Sequence, residues 1–228
     1  MCGVTGIFHF DRPEPVSADL LHRMNNTIFH RGPDGDGTYV SSDGKVGLGH
    51  RRLSIIDLSE GGAQPMSNGD GSIWISFNGE IYNHASLRTD LEGRGCRFRS
   101  HHSDTEVLVQ GYKAWGMRGL LERLDGMYVF AVYDEAAQRI LIARDRVGVK
   151  PIYFTKRAGL FAFASEIKAL LAHPNVPATV GEVALYHYLT YLTAPAPLTL
   201  FDGIYKLPAG HSMVIEANGN FAAERYWG

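Results

Sequence analysis

Apolar residues along this chain alternate with polar residues or form short unbroken runs, and both patterns favour β-strands. Strands are predicted over 4–10, 37–40, 46–50, 73–77, 127–134, 139–144 and 161–165. The segments 127–134 and 139–144 are nearly continuous apolar runs joined by a short polar turn, which is typical of a hairpin whose strands are buried on both faces. The middle of the chain is therefore predicted to be rich in strands.

Helices are predicted between and beyond these strands. Ser17 is placed to cap a helix that carries Leu21 and Met24 on one face, and Ser103 with Glu106 has the spacing of a capping box. Asn83 is placed to begin a short third helix. After about residue 173 the sequence pattern changes, and it predicts a helix over 181–192, a proline-rich stretch and a final hairpin. We expect a domain over 2–175 and a C-terminal extension over 176–228.

The composition of the chain argues against several classes of function. The chain has 228 residues, 45% of them hydrophobic and 20% charged, with a formal net charge of −2. No basic cluster is present to neutralise phosphates, and no apolar run is long enough to span a membrane. The two cysteines, Cys2 and Cys96, lack the spacing of a zinc site. We expect a cytoplasmic protein that binds no metal, nucleic acid or membrane.

The candidate nucleophile lies at the start of the chain, in Met1-Cys2-Gly3. If Met1 is removed, Cys2 carries both a thiol and a free α-amine. An α-amine has an ordinary pKa of about 7.7–8.0, so at neutral pH part of it is unprotonated and can accept the thiol proton. The structural alternative is that Cys2 is a small apolar residue that begins a strand.

Three other patterns are open to two interpretations. Arg51 and Arg52 are adjacent, and a position on a solvated strand edge would explain one arginine here. A clamp that binds a carboxylate would also explain one. Asn78-Gly79 is either a tight turn or a pair of donors for an oxyanion. Asp104, in the first turn of its helix, is explained by the helix dipole but remains available for binding.

Taken together, the motifs resemble class II glutamine amidotransferase domains, and are most similar to the glutaminase half of glutamine-dependent asparagine synthetases. The resemblance implies an α+β fold, a four-layer α-β-β-α sandwich of two mainly antiparallel sheets. The matching stretches are Met1-Cys2-Gly3, Arg31-Gly32-Pro33-Asp34, Arg52-Leu53-Ser54-Ile55, Gln64-Pro65-Met66, Asn78-Gly79-Glu80-Ile81-Tyr82-Asn83, Ser103-Asp104-Thr105-Glu106, Asp125-Gly126-Met127, Arg144-Asp145 with Gly148-Val149-Lys150-Pro151, and Ala164-Ser165-Glu166-Ile167-Lys168.

The same resemblance implies roles for particular residues. Cys2 would be the nucleophile and its α-amine the general base, with the Asn78 amide and the Gly79 N–H as the oxyanion hole. Arg52 would hold the α-carboxylate of glutamine, and Asp104 its α-ammonium. The implied glutamine-binding residues are Arg52, Ile55, Asn78, Gly79, Glu80 and Asp104.

The resemblance also implies a partner. The glutaminase half needs no cofactor, whereas ATP and Mg²⁺ belong to a synthetase domain whose Ser-Gly-Gly-x-Asp-Ser loop does not occur here. We expect a synthetase domain or subunit that receives ammonia for asparagine synthesis, and a homodimer is compatible with the sequence. The alternatives are an acceptor other than aspartate, a catalytically silent regulatory domain, and another N-terminal nucleophile amidase.

Overall fold

A computed structural model describes residues 1–54, 60–100 and 102–228. The helices are α1 Ala18–Thr27, α2 His84–Gly93, α3 Asp104–Arg123, α4 Ile167–Leu171 and α5 Glu182–Tyr191, with 3-10 turns at Phe29–Arg31 and Glu60–Gly62. The strands are β1 Gly3–His9, β2 Gly35–Val40, β3 Val46–Arg52, β4 Met66–Ser67, β5 Ile73–Ile81, β6 Gly126–Asp134, β7 Arg139–Arg144, β8 Tyr153–Arg157, β9 Leu160–Ala164, β10 Ile204–Lys206, β11 His211–Ile215 and β12 Phe221–Arg225.

The strands pair into two sheets. Over the described residues, one sheet has the order β10-β8-β9-β1-β3-β2 and the other the order β12-β11-β7-β6-β5-β4. Neighbouring strands are antiparallel throughout both sheets. Strand β1 is interior to its sheet, with β9 on one side and β3 on the other, so the residue that precedes it begins on a rigid element.

Alternation along the strands divides the core into layers. On β6, Val129, Ala131 and Tyr133 pack between the two sheets, whereas Tyr128 and Phe130 pack toward α2 and α3. A third apolar cluster joins the first sheet to α1 and α4. The order is therefore helix, sheet, sheet, helix, and the predicted α+β four-layer sandwich is confirmed.

The predicted helix beginnings are found, although two of the expected capping contacts are not. Ser17 accepts from the Leu20 N–H, and Ser103 from the Glu106 N–H, as expected. The Glu106 carboxylate does not complete a capping box, because it accepts from the N–H groups of Arg99 and Ser100. Asn83 precedes α2 without capping it, since its amide binds the backbone on either side of Leu124.

The interpretation of Asn78-Gly79 as a turn is wrong. Strand β5 runs through both residues to Ile81, and Gly79 faces Tyr128 of β6. A Cβ atom at Gly79 would lie 2.2 Å from the carbonyl oxygen of Met127. Glycine is required here by the close approach of two strands, so the local signal for a turn was misleading.

Residues 176–228 contribute strands to both sheets. Strand β10 extends the first sheet through β8, and β11 joins the second sheet through β7. Near the C-terminus, the Tyr226 hydroxyl donates to the Arg144 carbonyl at 2.7 Å and lies 2.9 Å from the Tyr128 hydroxyl. Among the described helices, none is long and apolar enough to cross a membrane.

Candidate active site

A cavity of about 230 Å³ brings the sequence-predicted site residues together at one edge of the sandwich. Cys2 reaches it from the start of β1, Arg52 from the end of β3, Asn78 from β5, and Asp104 from the first turn of α3. Gly79 and Glu80 line it as well. The sixth residue implied for glutamine binding, Ile55, lies outside the described residues.

The Cys2 sulfur is held between the two backbone groups of Leu53. The Leu53 N–H donates to Sγ at 3.3 Å, and the thiol in turn faces the Leu53 carbonyl oxygen at 3.6 Å. Behind the cysteine, Arg31 Nε donates to the Cys2 carbonyl at 2.9 Å, while its Nη1 binds Glu166 at 2.9 Å. These contacts fix the position of the sulfur at the edge of the cavity.

Asn78 presents an unused hydrogen-bond donor. Its side chain is only 1% exposed, and Nδ2 has no partner among the described residues. A buried polar group without a partner costs about 1–3 kcal/mol, so the site is poised to gain that energy when an oxygen atom arrives. This is the property expected of a donor to a developing oxyanion.

The backbone N–H and carbonyl of Phe77, the residue before Asn78, are held by two side chains to which the sequence assigned no role. Gln64 Oε1 accepts from the Phe77 N–H at 2.6 Å, and the same amide donates to Thr105 Oγ1 at 3.1 Å. Gln64 thus ties β5, just before Asn78, to α3, just after Asp104. Its occurrence in Gln64-Pro65-Met66 was the available signal.

The second of these side chains is His50, which is fully buried on β3. Its Nε2 lies 2.9 Å from the Phe77 carbonyl oxygen, and burial lowers the pKa of His50 to about 4. The imidazole is therefore neutral at physiological pH, and Nε2–H donates to that carbonyl. With Gln64 on the Phe77 N–H and His50 on its carbonyl, the strand before Asn78 is fixed from both sides.

The charged groups of the cavity differ in sign. Asp104 is buried, accepts from the Ile81 N–H at 3.2 Å, and has its pKa raised because burial disfavours the carboxylate. Glu80, half-buried, lines the same cavity, as does the guanidinium side chain of Arg52. A ligand that brings an ammonium group to Asp104 would offset the cost of burying its charge.

In the ranges 1–54, 60–100 and 102–228, no group of three or more His, Cys, Asp or Glu side chains could hold a metal ion. Cys2 and Cys96 are both free thiols.

Comparison with known proteins shows that the chain is similar to glutamine amidotransferases. The family model for the glutamine amidotransferase domain matches residues 1–227. Asparagine synthetase [glutamine-hydrolyzing] 3 of Bacillus subtilis is 38% identical over 231 residues, which cover 100% of this chain and 36% of that protein. Amidase chry2 of Gibberella zeae is 35% identical over 236 residues, covering 100% of this chain and 34% of the amidase.

The fold agrees with a solved amidotransferase. Glutamine phosphoribosylpyrophosphate amidotransferase from B. subtilis superposes with a TM-score of 0.71 at 22% identity, over 99% of this chain and 49% of that one. The chain spans about a third of the length of the curated relatives it matches.

Proposed function

Since the chain belongs to the family of class II glutamine amidotransferase domains, we propose that it hydrolyses glutamine and passes the ammonia to an ATP-dependent synthetase unit. The observation that supports this most is the convergence on one cavity of a thiol, an unpaired amide donor and side chains of opposite charge. Glutamine brings a carboxamide, an α-carboxylate and an α-ammonium, which are the groups these side chains complement.

The reaction is acyl transfer in two steps. Once Met1 is removed, the α-amine of Cys2 takes the thiol proton through a water molecule, and sulfur attacks the side-chain carbonyl carbon of glutamine. The Asn78 amide and the Gly79 N–H stabilise the oxyanion, and its collapse breaks the C–N bond while the ammonium of Cys2 returns the proton to the departing nitrogen. Water, deprotonated by the same amine, then hydrolyses the γ-glutamyl thioester and regenerates the thiol with glutamate.

Recognition of the far end of glutamine falls to the charged pair. Arg52 binds the α-carboxylate, for which a guanidinium offers two parallel donors. Asp104, with Glu80 in the same cavity, binds the α-ammonium. A simple amide is neutral at its far end and would offer no charge to Arg52 or Asp104, so the site selects against other amides.

The partner is proposed from the lengths of the relatives and from one exposed surface. The asparagine synthetases extend well beyond the region this chain matches. Helix α5, within 176–228, exposes Val183, Tyr186, Leu189 and Tyr191 and buries Ala184. Monomeric proteins rarely leave so contiguous an apolar face uncovered. We propose that residues 176–228 lead into a synthetase unit that covers this face.

The ammonia acceptor in this proposal is aspartate, with ATP and Mg²⁺ bound by the synthetase unit, in the cytoplasm where both thiols stay reduced. The match to the amidase chry2 gives a reason to test a second class of acceptor. A synthetase unit supplied with ATP, Mg²⁺ and aspartate should form asparagine only with a chain that retains Cys2. Product formed from another carboxylic acid, and none from aspartate, would replace this acceptor.

The direct test is glutamate release from glutamine by protein whose intact mass shows that Met1 is absent. Cys2→Ala should abolish release, and Cys96→Ala, which alters the other free thiol, should not. Both variants should keep the wild-type melting temperature to within a few degrees. Correctly processed wild-type protein that releases no glutamate, alone or with its synthetase unit, would refute the proposal in favour of a silent regulatory domain.

A further inference from the structure

A buried lysine shares the cavity with the start of the chain. Lys150 is only 6% exposed, lines the same cavity as Cys2, and its Nζ lies 3.5 Å from Met1 Sδ. Among the described residues, no carboxylate forms an ion pair with it. Removal of Met1 takes away the sulfur atom it contacts and puts the new α-amine of Cys2 at the end of the chain.

The backbone that carries Lys150 is held by two charged side chains, the buried Asp145 and the half-buried Arg144. Asp145 accepts from the N–H groups of Val147, Val149 and Lys150 at 3.2, 2.9 and 3.0 Å. Arg144 donates to the Lys150 carbonyl at 2.8 Å, and also to the carbonyls of Gly148 and Leu207. A loop with so many fixed backbone contacts has little freedom, so the lysine is delivered to a defined place. A solvated surface lysine would need no such support.

We propose that Lys150 is a positioning residue whose positive charge keeps the α-amine of processed Cys2 unprotonated and favours the Cys2 thiolate. This inference rests on the proposed function, because it concerns the base and the nucleophile of that reaction. A nearby cation disfavours protonation of an amine and stabilises a thiolate, so one lysine improves both the base and the nucleophile.

The other cation behind Cys2 is paired with a carboxylate and does not line the cavity. Arg31 contacts the Cys2 carbonyl, but it is paired with Glu166 at 2.9 Å. Glu166 also pairs with His30 and Lys168. These groups lie outside the cavity, whereas Lys150 lines it together with Cys2.

The charged groups that line the cavity beside Lys150 are Arg52, Glu80 and Asp104. In the proposed function these complement the two charges of glutamine, so their fields are largely cancelled when substrate is bound. Lys150 has no such counterpart in the substrate. It is therefore the cation lining this cavity whose charge no group of the substrate offsets in either step of the reaction.

The test that does not depend on turnover is the pH dependence of Cys2 alkylation. Iodoacetamide is reacted with processed protein in a Cys96→Ala background, and the modified Cys2 is quantified by mass. Lys150→Met, of similar length and without charge, should move the alkylation profile up by about one pH unit and slow alkylation about tenfold at pH 7. Lys150→Arg should restore most of the rate, and Lys113→Met, which removes an exposed lysine, should change nothing.

Glutamate release supplies the second readout. The acid limb of kcat/KM for Lys150→Met should move by the same amount, with activity recovering at higher pH. Unchanged alkylation and kcat/KM profiles would overturn the inference, as would a higher KM with an unmoved profile, which would make Lys150 a substrate contact. A melting temperature is measured for each variant, and a loss not rescued by Arg or by raised pH would indicate a structural role instead. If no variant releases glutamate but the alkylation profile still moves, the proposed function fails and this inference stands.

Discussion

The unused donor of Asn78 leads to a prediction that separates catalysis from stability. Asn78→Ala removes an amide whose Nδ2 has no partner among the described residues, so no intramolecular hydrogen bond of that donor is lost. The side chain lines an existing cavity, and its truncation enlarges that space rather than creating a sealed void. Relief of the unpaired donor stabilises the fold while the lost packing of the side chain destabilises it, so the free energy of unfolding should change by less than about 1 kcal/mol.

The same substitution should be costly in the reaction. Loss of one oxyanion-hole donor lowers kcat by about 10²–10³-fold, or about 3–4 kcal/mol, in comparable sites. KM should change little, because the donor acts mainly on charge that develops in the transition state. Steady-state glutamate release gives both constants, and urea unfolding followed by circular dichroism gives the stability.

Asn25 is the matched control, because it is a buried asparagine with satisfied polar groups. Its Oδ1 accepts from the Thr5 hydroxyl at 2.6 Å and its Nδ2 donates to the Gly37 carbonyl at 3.2 Å. Asn25→Ala should cost about 2–4 kcal/mol of stability, since it leaves these partners unpaired, and should change kcat much less than Asn78→Ala. The reasoning is refuted if Asn78→Ala keeps its kcat, or if it loses as much stability as Asn25→Ala.

Three further predictions concern neighbouring groups. Asp104→Asn should raise KM for glutamine about 10–150-fold through loss of a charged contact. It should also raise the melting temperature at pH 7, because burial raises the pKa of Asp104 and keeping the carboxylate ionised destabilises the wild type. A lower melting temperature would contradict this. In the unfolded chain His50 takes up a proton near pH 6.5, whereas in the folded chain its pKa is lowered to about 4. The free energy of unfolding of the wild type should therefore fall by about 3 kcal/mol more than that of His50→Gln between pH 6.5 and 4. Parallel pH dependences of the two proteins in urea unfolding would show that His50 is not the cause. Gly79→Ala places Cβ 2.2 Å from the Met127 carbonyl oxygen, so it should lower the free energy of unfolding by about 3 kcal/mol and abolish glutamate release. A variant as stable as the wild type would mean that β5 and β6 can separate at this point.

The fold was largely predictable because its strands are regular. The runs at 127–134 and 139–144 are apolar on both faces, and the structure buries one face between the sheets and the other against helices. Strand β8 was not predicted, since Tyr153–Arg157 is short and ends in charged residues. It is formed by pairing with β9 and β10, which lie elsewhere in the sequence, and local pattern does not contain that information.

The site was predictable where a residue type carries the chemistry. Cys2, Arg52, Asn78 and Asp104 meet in one cavity, as expected from the resemblance. Residues that act by holding others were not assigned, because a matching stretch such as Gln64-Pro65-Met66 does not show which groups its side chains contact. Gln64 is the clearest case: its function follows only from two hydrogen bonds, to strand β5 and to helix α3, that the folded chain creates.

The place of β1 between β3 and β9 sets an order of events during synthesis. Thr5 pairs with Ala164, so β1 can complete its pairing in this sheet only after residue 164 has left the ribosome. Until then β1 lacks one of its two neighbouring strands, and the residues before it are not yet anchored in a complete sheet. In the proposed function, the late synthesis of β9 thus leaves an interval in which Met1 can be removed before Cys2 is fixed in place.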